Sequence, residues 1–256
     1  MMQFTRRELM AAAAAMELAD GEVVLSGIGL PQVSTQLAKM THAPRITQVI
    51  EIGVIDAVSI HPSVGIADPR SWLDASYYGS LTDALGTILH RGLVDVGFLG
   101  GLEVDQYGNL NVNMIRTSKG DRHINGSGGS NDIASLAKKT MIIMPHEKRR
   151  LSPKVAYLSS PGYLNGGRAR EDFDLRGRGP SRVFTDKAVM GFDEITKRMK
   201  LISVHPGVTV DDVLANTGFP LIVPEKVKVT EPPTREQLRW IREVIDPERL
   251  YTGNPS

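Results

Sequence analysis

An apolar run with a carboxylate at its end occupies residues 47–56 and reads Thr47-Gln48-Val49-Ile50-Glu51-Ile52-Gly53-Val54-Ile55-Asp56. Burying a charged carboxylate at the end of an apolar strand costs free energy unless the charge is paired, so an acid at this position suggests a functional role. Gly53 lets the backbone turn sharply and lets a ligand approach Glu51 closely. The pattern predicts that Glu51 is a nucleophile, although an ordinary solvated acid at a strand end has the same local sequence.

Short β-branched runs alternate with helical patterns along the rest of the chain. Strands are predicted near residues 22–26, 45–50, 94–99, 110–114, 140–144, 182–185 and 199–204, and helices near 5–19 and 81–90 and from Pro31, Ser130, Thr209 and Thr234. This alternation is typical of an α/β protein with a single open, mostly parallel sheet and helices on both faces. No sharp change in composition divides the 256 residues, so we predict one domain over residues 1–256.

Composition narrows the classes of partner and of chemistry. The formal net charge is +1 and the charges are interspersed, so neither nucleic acid nor an anionic membrane is an expected partner. The chain contains no cysteine, which excludes disulfides and thiolate catalysis and fits a reducing compartment. The apolar stretch at 9–16 is far shorter than a membrane span, and the capping-box spacing of Thr5 and Glu8 favours a helix over an export signal. We therefore expect a cytoplasmic protein.

Glycines follow several of the predicted strands, at the positions where ligands of open α/β sheets bind. They are Gly27 and Gly29 after the first strand, Gly53 after Glu51, and Gly100 and Gly101 after the strand at 94–99. A further cluster, Gly126-Ser127-Gly128-Gly129, opens a helix. Its backbone N–H groups could face a phosphate or a developing oxyanion, and a flexible loop is the alternative.

Neither glycine cluster matches a nucleotide-binding motif. The dinucleotide fingerprint requires a third glycine where this chain has Gln32. The cluster at 126–129 lacks the lysine and the spacing of a phosphate-binding P-loop. Nucleotide hydrolysis is therefore disfavoured.

Taken together, these segments resemble the β subunits of family I coenzyme A transferases nearly end to end. The segments that carry the resemblance are Ser26–Pro31, Glu51–Asp56, Gly100-Gly101, Asp105–Asn111, Gly126–Asn131, His146–Arg150, Ser160–Gly162, Thr185–Lys187, His205–Thr209 and Asn216–Phe219, in the order and spacing of the family. Oxoacid CoA-transferases carry Ser-Glu-Asn-Gly around the glutamate, whereas this chain has Ile50, Ile52 and Asp56. That difference favours the glutaconate-like branch of the family.

The resemblance implies a covalent mechanism. In such enzymes a glutamate carboxylate attacks an acyl-CoA thioester, and the anhydride formed is converted by the CoA thiolate into a glutamyl-CoA thioester. Glu51 occupies the position of that glutamate, and a free glutamate is already an anion at neutral pH. Gly126–Gly129 or Gly100-Gly101 would stabilise the oxyanion or bind CoA, and Gly27, Gly29 and Gly53 would line the substrate pocket. The resemblance also implies that an α subunit completes the site and that no metal or organic cofactor is needed.

Two other functions remain open from the sequence. One is the β subunit of a CoA-ester hydrolase of the ring-cleaving, steroid-catabolism type, whose catalytic acid lies on the α subunit. The other is a regulatory sugar-phosphate-binding protein, which would need a DNA-binding module or basic face that this chain lacks. A related decarboxylase uses a cysteine, which this chain does not contain.

Several basic and imidazole side chains have no catalytic spacing. We expect His146–Arg150 to form an ion network at a sheet end or a subunit contact. Arg168, Arg170, Arg176, Arg178 and Arg182 are interleaved with acids and are expected in a solvated loop, where one could bind a CoA phosphate or the partner subunit. We expect His61, His90, His123 and His205 to be structural.

Overall fold

A computed structural model of the chain describes residues 3–57 and 64–254. The chain divides into two compact units, one formed by Met1–Phe98 with Glu231–Ser256 and one formed by Leu99–Thr230. The prediction of one domain over residues 1–256 stays a prediction. His61 lies outside the described residues.

The strands are β1 (Val23–Leu25), β2 (Thr47–Ile50), β3 (Val54–Ile55), β4 (Tyr77–Tyr78), β5 (Val96–Leu99), β6 (Glu103–Val104), β7 (Leu110–Asn111), β8 (Met114–Thr117), β9 (Gly120–His123), β10 (Lys139–Ile143), β11 (Pro180–Phe184), β12 (Ala188–Phe192), β13 (Met199–Val204) and β14 (Lys228–Val229). The α-helices are α1 (Arg6–Ala15), α2 (Leu30–Met40), α3 (Ser130–Leu136), α4 (Ala169–Asp172), α5 (Val210–Ala215) and α6 (Arg235–Trp240). Thr82–Leu89 and Ile241–Ile245 are π-helical, and Pro69–Ser71 forms a 3₁₀ turn.

The strands of the first unit combine a parallel core with an antiparallel extension. β1 pairs in parallel with β2 on one side and with β5 on the other. Their side chains are buried, as expected for parallel strands covered on both faces. β3 and β4 then continue the sheet as antiparallel strands of two residues each. These two short strands were not predicted from the sequence.

The amino-terminal helix is fixed by its cap and by a buried ion pair. Thr5 and Glu8 form the predicted capping box, and the alanines of α1 are largely buried where the helix packs on α2. The Glu8 carboxylate is fully buried and accepts from Arg242 at 2.7 Å, with Arg249 at 3.4 Å. A buried carboxylate needs such partners, so this pair holds the carboxyl-terminal segment against α1.

The strands of the second unit run in the order β14-β13-β12-β11-β10. β10 with β11 and β13 with β14 are parallel, whereas β12 is antiparallel to both of its neighbours. β12 was missed from the sequence, where Thr185-Asp186-Lys187 is a tight turn. The Thr185 hydroxyl oxygen accepts from the Lys187 and Ala188 N–H groups and so closes the β11–β12 hairpin.

The remaining strands of the second unit form two small hairpins, β6–β7 and β8–β9. The predicted capping boxes that begin α5 at Thr209 and, in the first unit, α6 at Thr234 are both present. Over residues 3–57 and 64–254, no helix combines the length and the apolar character that crossing a bilayer requires.

Candidate active site

Glu51 is the first residue of a tight turn that joins β2 to β3. The turn spans residues 51–53, and the Gly53 N–H donates to the Ile50 carbonyl oxygen at 2.9 Å. Three-residue hairpin loops of this kind place a glycine at the last position. Glu51 is half-buried, and the preceding residue, Ile50, forms a small apolar cluster with Val54 and Ala57. Glu51 directly follows β2, as the sequence predicted.

Gly53 is required by the fold of this turn. Its φ is 99°, which L side chains rarely adopt. A Cβ at Gly53 would collide with the backbone of Gly79 and Ser80, whose segment is held by a 2.9 Å bond from the Gly79 N–H to the Gly53 carbonyl. The space beside Gly53 is therefore occupied by the chain's own backbone, which alone accounts for the glycine.

We expect Gly53→Ala to lower both stability and activity. The left-handed φ costs about 1–2 kcal/mol for alanine, and the collision with Ser80 must also move the turn that carries Glu51. Melting temperature and transfer rate should both fall, the rate by at least ~10-fold if the turn shifts by about 1 Å. Gly86→Ala is the matched control, because Gly86 is exposed and its Cβ would meet only Thr82 Cγ2 at 3.4 Å. Wild-type behaviour of Gly53→Ala would show that the turn does not need this geometry.

A polar network lies behind the turn. The Asp56 carboxylate pairs with Lys39 of α2 and accepts from the Gln48 N–H at 3.1 Å. The buried Gln48 side chain donates to Ser26 Oγ at 2.7 Å and accepts from Gln36. These bonds tie the ends of β1 and β2 to α2, so the backbone on both sides of Glu51 is held by α2 and by residues 79–80. The sequence signal that we missed was a glutamine within an apolar strand.

Gly27 and Gly29 lie in the loop that joins β1 to α2. The Ser26 N–H donates to the Val49 carbonyl at 3.1 Å, so this loop begins next to the end of β2. Gly29 has φ 90° and precedes the helix, which begins at Leu30 with Pro31 as its second residue rather than its first. A Cβ on Gly27 would meet no atom within 4 Å. The fold therefore leaves open space at Gly27, at the same sheet edge as Glu51.

Gly100 and Gly101 follow β5 and belong to the second unit. A Cβ on Gly101 would lie 3.0 Å from the Leu110 side chain, and the neighbouring Leu102 N–H donates to the Asn111 carbonyl at 2.8 Å. Gly101 is thus packed against β7. Gly100 is exposed, with the Ile143 carbonyl oxygen 3.6 Å from its Cβ position.

The glycine-rich loop at 126–129 connects β9 to α3. The Ser130 N–H donates to the Ser127 carbonyl at 3.1 Å, and Gly128 has φ 52°. Gly126 is exposed and has open space at its Cβ position, whereas Gly129 is buried at the helix start. Ser127 lines a cleft of about 290 Å³, the loop cleft, together with Asn113, Asn131, Tyr157, Leu158, Ser159 and Pro161. The loop therefore faces a largely polar cleft.

The structure brings together one set of the predicted site residues. Glu51, Gly27, Gly29 and Gly53 lie at the carboxyl ends of the adjacent strands β1 and β2, within the first unit. The second set belongs to the second unit and consists of Gly100, Gly101, Gly126, Ser127, Gly128 and Gly129.

The segment 146–150 separates into a buried imidazole and a surface ion network. His146 Nδ1 lies 2.9 Å from Thr185 Oγ1 and Nε2 lies 3.1 Å from Thr217 Oγ1. Burial lowers the pKa of His146 to about 4, so the ring is neutral at pH 7. Glu147 pairs with Arg149 at 2.5 Å and with Arg150 at 3.3 Å, which confirms the predicted network for these residues.

The buried His146 should make stability fall in acid. The unfolded chain takes up a proton near pH 6.5, whereas folded His146 does so only near pH 4, so stability present above pH 6.5 is lost as the pH falls towards 4. Between pH 7 and pH 4.5 the loss from this group should be about 2 kcal/mol in urea unfolding. His146→Gln should show a loss smaller by that amount. An equal acid loss in the variant would contradict a buried neutral His146.

His205 and Arg168 each have a partner within the chain. His205 is buried, with Nε2 2.7 Å from the Thr185 carbonyl oxygen, which supports its structural assignment. Arg168 is exposed and pairs with Glu171 at 2.8 Å. Within the described ranges 3–57 and 64–254, no three His, Asp or Glu side chains converge as metal ligands would.

The prediction of a solvated side chain is wrong for Arg170. Its guanidinium is buried and donates to four backbone carbonyl oxygens, those of Ala134, Pro161, Gly162 and Gly177, at 2.7–3.0 Å. Burial lowers the pKa of Arg170. The acceptors are backbone carbonyls, which the charge pattern of 168–182 does not reveal, and one of them, that of Ala134, lies 36 residues away.

The family model of the coenzyme A transferases matches residues 7–216. The chain belongs to the coenzyme A transferase family. It is 36% identical to the B subunit of glutaconate CoA-transferase from Acidaminococcus fermentans, over 99% of this chain and 97% of that one. It is 34% identical to the B subunit of 3-oxoadipate CoA-transferase from Pseudomonas knackmussii, over 94% of each chain.

The chain is also similar to a solved CoA-transferase structure and to a subunit of a hydrolase. The crystal structure of glutaconate coenzyme A-transferase from Acidaminococcus fermentans superposes with a TM-score of 0.91 at 34% identity, covering 98% of both chains. The predicted fold class, an open and mostly parallel α/β sheet with helices, is confirmed by this match. The cholesterol ring-cleaving hydrolase IpdB subunit of Rhodococcus jostii is 28% identical over 90% of this chain and 87% of its own.

Proposed function

We propose that this chain is the β subunit of a heteromeric CoA-transferase with Glu51 as its nucleophile. The observation that carries the proposal is the position of Glu51: a half-buried carboxylate on a hydrogen-bonded turn at the carboxyl end of a parallel strand, next to Ile50 of an apolar cluster, in a member of the coenzyme A transferase family. Ligands of open α/β sheets bind at this edge. Half-burial allows the carboxylate to reach a substrate while the apolar neighbours limit access of water to a reactive anhydride.

The reaction proceeds by exchange of carboxylate and thiolate groups. A Glu51 carboxylate oxygen attacks the thioester carbonyl carbon, the C–S bond breaks, and CoA thiolate leaves an acyl-glutamyl anhydride. The thiolate then attacks the Glu51 carbonyl carbon and releases the acyl group as its carboxylate. A second carboxylate attacks the Glu51 carbonyl carbon of the resulting glutamyl-CoA thioester, which expels the thiolate and forms a second anhydride. The thiolate then attacks the carbonyl carbon of the incoming acyl group, which gives the new acyl-CoA and releases Glu51 as its carboxylate. At each step a carboxylate or a thiolate attacks a carbonyl carbon and the other group leaves. The proposed reaction therefore uses only Glu51, the acyl-CoA and the carboxylic acid, without a metal or organic cofactor.

We assign the glycines to oxyanion stabilisation, to substrate access and to the turn that carries Glu51. Developing charge on the thioester oxygen requires preorganised donors. The loop at 126–129 is a better candidate than Gly101, because the loop faces a cleft and Gly101 packs against β7. Gly27, with Gly29 beside it, gives a substrate room to approach the sheet edge at Glu51, and Gly53 sets the turn.

The similar enzymes suggest the partner and the substrate class. Both transferase relatives are named as B subunits, which supports an α subunit as the partner of this chain. Glutaconate and 3-oxoadipate are both dicarboxylates, so we assign a dicarboxylic acyl group to one of the substrates. The enzyme would act in the cytoplasm, where acyl-CoA is available.

Hydrolysis is the second candidate, favoured by the similarity to the IpdB subunit. One assay distinguishes transfer from hydrolysis. This chain is purified with a candidate α subunit from the neighbouring gene, and the heteromer is given glutaryl-CoA or 3-oxoadipyl-CoA with and without acetate. A transferase forms acetyl-CoA and releases little free CoA when acetate is absent. Steady release of free CoA without an acceptor acid would show hydrolysis instead.

A further inference from the structure

The carboxyl-terminal segment of the first unit forms a loop that is fixed by one buried carboxylate. Asp246 is fully buried, and its oxygens accept from the N–H groups of Leu250, Tyr251 and Thr252 at 2.8–3.0 Å. The Thr252 hydroxyl donates a fourth bond at 2.9 Å. A buried carboxylate needs partners of this kind, and here they fix the backbone of residues 250–252.

The start of helix α1 is bonded to the same loop. Thr5, the N-cap of α1, donates from its hydroxyl to the Thr252 carbonyl oxygen at 2.7 Å. The Arg7 side chain donates to the Tyr251 carbonyl oxygen at 3.3 Å. The N–H and the carbonyl of Tyr251 are therefore both bonded to other parts of the first unit, so the place of this residue is set by the fold.

The Tyr251 ring lies against one of the glycines at the sheet edge of Glu51. Its Cδ1 and Cε1 atoms are each 3.8 Å from the position that a Cβ on Gly29 would occupy. A Cβ on Gly27, in the same loop, would meet no atom within 4 Å. Tyr251 is half-buried, so part of its surface is accessible. This loop therefore borders open space at one glycine and an aromatic side chain at the other.

The segment that follows the 3₁₀ turn connects Tyr251 with the apolar cluster behind β2. The pKa of Arg70 is raised chiefly by its hydrogen bonds to Asp68 and also by Tyr251, which lies within electrostatic reach. Two residues later, Trp72 packs against the cluster that contains Ile50. Tyr251 therefore borders both the loop after β1 and the segment that covers the end of β2.

The packed side of this edge suits the smaller part of an acyl-CoA. The thioester carbonyl carbon must reach Glu51, and the acyl group and the CoA portion extend from that carbon in different directions. Beside Gly29 the edge is closed by Tyr251, whose backbone is fixed. The long CoA portion needs an open route, whereas a short carbon chain can end against an aromatic ring.

We propose that Tyr251 forms a wall of the acyl pocket and limits the length of the acyl groups that the site accepts. The inference rests on the proposed function and adds to it a specificity-determining residue from a segment distant in sequence. In the proposed reaction the two acyl groups take the same position in turn. The same wall therefore acts on the acyl-CoA and on the acceptor acid.

The kinetic test compares two acyl-CoAs of different length on the complete heteromer. The quantity measured is kcat/KM for consumption of suberyl-CoA divided by that for the shorter glutaryl-CoA. Tyr251→Ala should raise this ratio by at least about 10-fold, because one methylene in an apolar pocket already changes it by 10–200-fold. Tyr251→Trp, which enlarges the wall, should lower the ratio. Tyr251→Phe keeps the ring and should leave the ratio unchanged.

The neighbouring residue supplies the matched control. Leu250 is 43% exposed, and Leu250→Ala keeps the backbone bond to Asp246, so this variant should have the wild-type ratio. A merely structural Tyr251 would affect both acyl-CoAs alike. If Tyr251→Ala and Tyr251→Trp changed activity without changing the ratio, the proposal would be overturned.

A binding test separates this inference from the proposed function. Unreactive thioether analogues of suberyl-CoA and glutaryl-CoA are titrated into the heteromer by calorimetry, which requires no turnover. Tyr251→Ala should shift the preference towards the longer analogue by at least about 10-fold. An unchanged preference would overturn the wall even if Glu51 proved to be the nucleophile. A shifted preference would support it even if the enzyme hydrolysed its substrate.

Discussion

Glu51→Ala is expected to abolish CoA transfer while the chain still folds and joins its α subunit. Without the carboxylate neither the anhydride nor the glutamyl thioester can form, and removing a covalent nucleophile costs on the order of 10⁴–10⁶ in rate. The turn itself should survive, because its backbone is closed by the Gly53–Ile50 and Gly79–Gly53 bonds. The measurement is acyl transfer by the reconstituted heteromer, with assembly followed by size-exclusion chromatography.

Two further variants make the Glu51 experiment specific. Glu51→Gln keeps the shape of the side chain but lacks a nucleophilic carboxylate, so it should be equally inactive once amide hydrolysis is excluded. Glu194→Ala removes an exposed glutamate of the second unit and should retain full activity. Transfer near the wild-type rate by Glu51→Ala would move the catalytic carboxylate to the partner subunit.

Gly126→Val is expected to reduce transfer strongly without reducing stability. Gly126 is exposed and the chain leaves open space at its Cβ position, so the fold does not require a glycine there. If substrate approaches the N–H groups of the 126–129 loop, a valine side chain would block that approach. Loss of one oxyanion donor typically costs ~3 kcal/mol, or about 10²–10³ in rate. Turnover and thermal unfolding of the same heteromer measure the two effects.

Gly53→Ala is the comparison for Gly126→Val. Gly53→Ala should lose stability and activity together, since its Cβ would collide with Ser80. Gly126→Val should lose activity alone. If Gly126→Val instead lost melting temperature in proportion to activity, the loop would be structural and the oxyanion donors would lie elsewhere.

Local signals predicted much of the fold. The capping boxes at Thr5, Thr209 and Thr234 each mark a helix start that the structure contains. Buried strands such as β2, β10 and β13 stood out as β-branched runs. Glu51 could be placed for the same reason, because an acid directly after an apolar run is visible within ten residues of sequence.

Features set by distant residues were not predictable in this way. β3 and β4 are two residues long, and their pairing depends on the turn at Gly53 and on residues 77–80. Arg170 lies in a charged stretch, but its guanidinium is buried and donates to backbone carbonyls, one of which belongs to Ala134, 36 residues away. In each case the decisive contact joins segments that no sequence period links, so only the folded chain reveals it.

Trapping the covalent intermediate tests the central claim most directly. The heteromer is held with acyl-CoA and no acceptor acid, treated with borohydride, digested and analysed by peptide mass. We predict that the peptide containing Glu51 carries the alcohol formed by reduction of a glutamyl-CoA thioester, that this product requires acyl-CoA, and that Glu51→Ala does not give it. An unmodified Glu51 peptide from an enzyme that is fully active in transfer would contradict the assignment of Glu51 as the nucleophile.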